Sequence, residues 1–142
     1  MSPITEEEAI AKARSQLGLD PLIHAQALRT HRADRAGEAY YLVIFGEPRA
    51  TIGVAAVDIT TGEIMIHAQA PGERPHLLIN AKTAVERAGF PAETAAELVW
   101  KSCKGSRSPL YPLWEVSYEK KTVYVDQQGS VWQSLDSSDR GG

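Results

Sequence analysis

The sequence predicts an α+β protein built from two repeated units, each one helix packed on a small antiparallel β-sheet. Three observations lead to this prediction. Helical periodicity appears twice, and each time it ends at a glycine that is soon followed by a proline. Short runs rich in β-branched and aromatic residues follow each helix and alternate with turn residues. The 142 residues, 43% hydrophobic and 23% charged, suffice for one ordinary domain or two very small ones.

The first predicted unit covers residues 1–70 and begins with a helix. Thr5 and Glu8 have the spacing of a capping box, and apolar residues follow at helical intervals as far as Leu17. Because Gly18 ends this pattern, the helix is predicted at Glu6–Leu17. The sequence that follows predicts four strands, at residues 22–32, 40–45, 51–59 and 64–69.

The strongest strand signal in the chain is the aromatic and β-branched run at residues 40–45. This run is apolar at both odd and even positions, so both faces of the strand are predicted to be buried. The covering surface is predicted to be either the second unit or the other subunit of a homodimer.

Residues 71–76 contain two prolines and a glycine, which indicates a linker. The second predicted unit covers residues 77–136, and its helix is predicted at residues 77–88 because Gly89 stops the helical pattern. Four strands are predicted after this helix, at residues 95–101, 114–119, 122–127 and 130–135. Residues 137–142 are polar and are predicted to form a flexible tail.

Two short patterns recur along the chain and favour an internal duplication. Gly18 and Gly89 close the two predicted helices and lie 71 residues apart. Asp58 and Asp126 each stand just before a turn and lie 68 residues apart. The duplication predicts a second unit of similar architecture with a shorter hairpin.

A more specific pattern covers residues 113–131. A strand that carries Trp-Glu-Val at residues 114–116 is followed by a hairpin, by Val-Tyr-Val-Asp at residues 123–126, by a turn glycine and by a last short strand. This arrangement resembles the PepSY domain, and residues 41–43 and 57–64 resemble it more loosely. The chain is thus similar to a tandem pair of PepSY-like domains. The resemblance implies an inhibitory or protein-binding role, with no catalytic residue and no cofactor.

Four residues of the second unit are candidates for partner binding: Glu115, Tyr124, Asp126 and Trp132. If residues 120–121 form the hairpin turn, Glu115 lies opposite Asp126 on the exposed face, and the apolar face packs on the second helix. Repulsion between two such carboxylates costs some stability, which is typical of a site for a cation or a basic partner. The alternative is two solvated carboxylates, with Asp126 bonded to its own turn. For Trp132, the alternative to a binding anchor is core packing.

No catalytic or metal site is predicted. The four histidines lack the short spacing of zinc ligands: His24, His31, His67 and His76. Cys103 is the only cysteine, and the basic residues that follow it are interpreted as a plain surface loop rather than an activated thiol or an anion site. The sequence contains no phosphate-binding loop and no nucleophile elbow.

Charge and hydropathy exclude several classes of protein. The net charge of −3, without a basic stripe, argues against binding to nucleic acid. No apolar run approaches the ~20 residues that span a bilayer, so no membrane partner is predicted. The N-terminus lacks the basic start and apolar core of a secretory signal, so a cytoplasmic location is expected.

These observations together predict a non-catalytic protein-binding or regulatory module of PepSY-like type, which recognises another protein through a sheet face or edge. One alternative is a small acidic inhibitor or immunity protein that blocks a partner enzyme. Another alternative is a small-ligand-binding protein with a pocket between sheet and helix.

Overall fold

The computed structural model describes residues 3–135, so the predicted tail at residues 137–142 lies outside the described residues. The helices and strands of this part of the chain are α1 (Glu6–Leu17), β1 (Ala25–Arg32), β2 (Ala39–Glu47), β3 (Ala50–Asp58), β4 (Ile64–Gln69), α2 (Ala81–Ala88), β5 (Ala96–Trp100), β6 (Leu113–Tyr118), β7 (Lys121–Val125) and β8 (Val131–Trp132).

All eight strands belong to one sheet, in the order β4-β3-β2-β1-β5-β6-β7-β8. The prediction of two repeated units, each with its own small sheet, is therefore wrong. Sequence patterns show which residues form strands, but they do not show which strand edges are joined. The chain divides between His76 and Leu77 into two compact units.

In the first unit, α1 has the predicted bounds and the predicted cap. The Glu8 amide donates to the Thr5 hydroxyl over 3.1 Å, and the Thr5 amide donates to the Glu8 carboxylate over 3.0 Å. Gly18 closes the helix in the left-handed conformation, with φ of 65°. These interactions span three or four residues, and for this reason sequence alone predicts them correctly.

Thr5→Ala is expected to lower the free energy of unfolding by about 1 kcal/mol, because it leaves a helix-end amide without its acceptor. Urea denaturation followed by circular dichroism measures the change. Ser15→Ala, at an exposed position of the same helix, is the matched control, and its effect should stay within about 0.5 kcal/mol. Equal effects of the two substitutions would show that the cap contributes nothing to stability.

Strands β1 to β4 form an antiparallel meander in the first unit. Tyr41, Val43 and Phe45 of β2 face the core that contains the buried side of α1. On the other face of β2, Tyr40 and Leu42 are also completely buried. The prediction that both faces of this strand are buried is confirmed.

In the second unit, α2 begins four residues later than the predicted start at Leu77. Asn80 caps the helix by accepting a hydrogen bond from the Thr83 amide over 2.8 Å. The backbone just before this cap is held by distant side chains. The Ile79 amide donates to Gln127 over 3.2 Å, and the Ile79 carbonyl accepts from the Trp114 indole over 2.8 Å. Residues 77–80 therefore follow tertiary contacts rather than helical periodicity.

The β6–β7 hairpin turns one residue earlier than predicted. Tyr118 pairs with Lys121, so the turn consists of Glu119 and Lys120, and Glu119 takes the positive φ of 56°. The predicted pairs move by two residues along β7, which keeps every side chain on its predicted face. The apolar face packs on α2 as predicted, through Trp114, Val116, Val123 and Val125.

Candidate functional site

Four side chains lie in register across β5 to β8, on the strand face that points away from α2. Glu97 pairs with Glu115, Glu115 with Tyr124, and Tyr124 with Trp132. Side chains alternate along a strand, so these four point opposite to the residues that pack on α2. Neighbouring strands lie about 4.8 Å apart, so this acidic–aromatic row spans about 14 Å.

The structure brings together all four predicted site residues, but not in the predicted pairs. Glu115 lies opposite Tyr124 on one side and Glu97 on the other, so the predicted pairing of Glu115 with Asp126 is wrong. Glu97 was missed because its place in the row depends on the β5–β6 register, which no local pattern reveals. The one available signal was the alternation of β5, which puts Glu97 opposite in direction to the buried Leu98.

Glu97 and Glu115 form a like-charge cross-strand pair. Glu97 is exposed and Glu115 is half-buried. The ion pairs within residues 3–135 are Arg32–Asp34 and Arg35–Glu38, so neither glutamate is bound to a cationic side chain there. Carboxylates directly opposite each other repel, so a positive charge placed between them would be attracted to both.

Tyr124 joins the acidic and aromatic parts of the row. Its half-buried side chain stands opposite Glu115 in the strand pairing. Burial raises the pKa of Tyr124, and the neighbouring Glu115 carboxylate raises this pKa further. The phenol therefore stays protonated beside Glu115 and is able to donate a hydrogen bond.

Asp126 positions Trp132 and is not itself a free ligand group. One carboxylate oxygen accepts from the amides of Gln128 and Ser130, over 2.9 and 3.0 Å. The other oxygen accepts from the Trp132 indole over 2.9 Å. Asp126 is only 6% exposed. The alternative reading of Asp126 as a residue bonded to its own turn is therefore correct, with Trp132 as a further donor.

Asp58 of the first unit caps its turn in the same way. Its carboxylate accepts from the amides of Thr60 and Thr61, over 2.8 and 2.9 Å. Asp58 accepts no indole hydrogen bond from the described residues. The two aspartates therefore differ at the second carboxylate oxygen, which in Asp126 accepts from Trp132.

The loop after β5 packs against Trp132. The backbones of Cys103 and Ser106 exchange two hydrogen bonds, and a Cβ on Gly105 would lie 3.0 Å from the indole nitrogen of Trp132. Cys103 is 3% exposed and packs in a core with Val99, Leu113 and Leu135. Cys103 itself is thus a core residue, whereas Lys104 and Arg107 of the predicted surface loop are exposed. Exposed Lys104 brings positive charge to the aromatic end of the row.

All four histidines belong to the first unit. The His67 imidazole contacts Gln16 over 3.3 Å, and the His76 amide donates to Thr51 over 2.9 Å. Within residues 3–135, no three side chains of the metal-binding types gather at one place.

The geometry of the row suits binding better than proton transfer. General acid–base catalysis uses carboxyl groups that a cleft desolvates, whereas Glu97 lies exposed on a strand face. The row instead offers two adjacent carboxylates, a half-buried phenol and an indole that Asp126 holds by a hydrogen bond. Carboxylates and aromatic faces together attract ammonium and guanidinium groups.

No protein-family model matches the chain, and no curated protein matches it. Among solved structures, the chain is similar to a putative lipoprotein from Clostridium difficile 630, with 11% sequence identity, a TM-score of 0.38 and 92% of each chain covered. A likeness at this level supports no conclusion about activity, partner or location. In the described part of the chain, neither helix has the length and apolar character that crossing a membrane requires. The resemblance to PepSY domains and the cytoplasmic location stay predictions.

Proposed function

We propose that the chain is a non-catalytic protein-binding module whose acidic–aromatic row binds a basic segment of another protein. The observation that carries this proposal is the pairing of Glu97 with Glu115 in the absence of a cationic partner within residues 3–135. A lysine or arginine of the partner, placed between the two carboxylates, would replace their repulsion by attraction.

The aromatic half of the row supports the same proposal. Tryptophan, tyrosine and arginine are the residues that most often dominate binding energy at protein interfaces. Trp132 is partly exposed, and its ring is held by Asp126 and by Gly105. A ring fixed before binding loses little conformational freedom when a partner packs on it. Lys104 lies at this end, so a bound segment would place its positive charge toward Glu97.

The probe for this proposal is a short synthetic peptide with several arginines, compared with the same peptide carrying glutamine at those positions. Titration of the wild-type chain, followed by tryptophan fluorescence or by backbone amide shifts, is expected to show saturable binding of the arginine peptide alone. Added salt should weaken this binding, because both partners carry exposed charges. Equal binding of the two peptides would contradict the proposal.

The double variant Glu97→Gln/Glu115→Gln is expected to bind the arginine peptide about tenfold more weakly, a difference of about 1.4 kcal/mol. Glu7→Gln/Glu47→Gln is the matched control, since it changes the net charge equally at exposed positions of the first unit. The control should bind as the wild type does. A similar loss in both variants would mean that net charge, and not the row, attracts the peptide.

A further inference from the structure

Strand β4 stands at the end of the strand order and has few of the usual protections of an edge strand. Its six residues, Ile64–Gln69, include no charged residue and no proline. Edge strands in natural proteins are normally very short, charged, interrupted by proline or covered. A bulge at Met65, where the pairing with β3 shifts register, is the one protective feature of β4 itself.

The phase of the β3–β4 ladder shows which backbone groups point outward. The Ala70 amide donates to the Ile52 carbonyl over 2.9 Å, so Ala68 and Ala70 direct their backbone groups toward β3. His67 and Gln69 therefore direct theirs away from β3. Between the bulge at Met65 and Pro71, β4 offers two N–H groups and two carbonyls to a further strand.

We propose that β4 pairs antiparallel with β4 of a second copy of this chain, about a two-fold axis at Ala68. This axis places His67 opposite the partner's Gln69, and Gln69 opposite the partner's His67. All four outward N–H groups of the two copies then meet outward carbonyls. The two Ala68 residues meet at the narrow, non-hydrogen-bonded spacing of about 4.5 Å, where a small side chain fits.

The six residues of β4 are uncharged, and charged residues stand before and after the strand. Lys12 packs over Gly62 and lies near Glu63 at the start of the strand. Glu73 and Arg74 follow its end. A two-fold axis at Ala68 joins the uncharged centres of the two strands, so no charged side chain of one β4 is brought against a like charge of the other. A highly charged peptide would find no opposite charge along the centre of β4.

Four backbone hydrogen bonds between short strands make a weak dimer. The wild-type chain is therefore expected to be monomeric when dilute and to dimerise as its concentration approaches about 1 mM. Sedimentation velocity over this range measures the equilibrium. A wild-type chain that stays monomeric throughout the range would overturn the proposal.

His67→Pro tests the pairing directly. Proline removes an outward N–H but no hydrogen bond to β3. The unit should therefore keep its fold, while the association constant of the dimer falls at least tenfold. Circular dichroism and the urea midpoint check the fold. His67→Thr, which keeps the N–H, is the control and should dimerise as the wild type does. Dimerisation of a folded His67→Pro chain at wild-type strength would overturn the proposal.

Ala68→Cys tests the position of the axis and does not depend on the proline variant. Two cysteines at this position would have Cα atoms about 4.5 Å apart, which a disulfide can bridge. Mild oxidation should therefore give a covalent dimer on a denaturing gel. Gln69→Cys is the control, because its two copies would lie about 9 Å apart. Equal cross-linking of both variants, or of neither in a dimeric sample, would reject the axis at Ala68.

Discussion

Phe45→Ala is expected to lower the free energy of unfolding by about 3–5 kcal/mol, which corresponds to a fall in Tm of about 10–15 °C. Phe45 is completely buried and belongs to the core that α1 covers with Ala13 and Leu17. The substitution removes most of this aromatic ring and leaves a cavity that the surrounding strands cannot close. Urea and thermal denaturation followed by circular dichroism measure the loss.

The loss at Phe45 has a second cause. The Arg14 guanidinium lies 5.2 Å from the centre of the Phe45 ring. The same group donates to the carbonyls of Asp20 and Ile23, over 2.8 and 2.9 Å. Loss of the ring therefore also loosens the group that holds the turn after α1.

Leu22→Ala is the matched control for Phe45, because Leu22 lies in that turn and its side chain is 93% exposed. Its substitution should change stability by no more than about 0.5 kcal/mol. If the two variants unfold at the same urea concentration, Phe45 does not occupy the core position that the structure assigns to it.

Asp126→Ala is expected to cost about 3 kcal/mol, since it leaves two backbone amides and one indole without their acceptor at a buried site. The three donors belong to Gln128, Ser130 and Trp132. Trp132 should also become more mobile and more solvated. A red shift of tryptophan emission, together with a lower urea midpoint, is the expected observation.

Asp58→Ala is the matched control for Asp126. It also removes the acceptor of two turn amides, but its turn is more exposed and has no indole donor. The expected cost is about 1 kcal/mol. Equal costs at Asp58 and Asp126 would show that the indole bond adds nothing. An unchanged emission spectrum in Asp126→Ala would show that Asp126 does not hold Trp132.

The sequence predicted the residues of the candidate site better than it predicted how they pair across the strands. Strand alternation placed Glu115 and Tyr124 on the polar face, and that assignment survived the two-residue error in register. The error itself came from Glu119, which adopts a positive φ although residues of its type rarely do. Glu97 became part of the site only through its pairing with Glu115.

The start of α2 illustrates the same distinction. The apolar pattern from Leu77 favoured a longer helix, although Asn80, a residue of a common capping type, marks the observed start. Gln127 and Trp114 bind the backbone of Ile79 from 48 and 35 residues away, and these bonds keep it out of the helix. Periodicity describes what a segment prefers in isolation, and tertiary hydrogen bonds overrode that preference.

By itself, the sequence determined the bounds and cap of α1, the approximate places of the strands and the apolar faces of β2, β6 and β7. These properties depend on residues a few positions apart, whose interactions form in the same way wherever the segment is placed. Only the tertiary structure decided that eight strands share one sheet, that Glu97 faces Glu115 and that Asp126 holds Trp132. Hydrogen bonds between strand backbones are nearly the same whichever side chains the strands carry. The choice of partner strand and register therefore depends on how the whole chain packs.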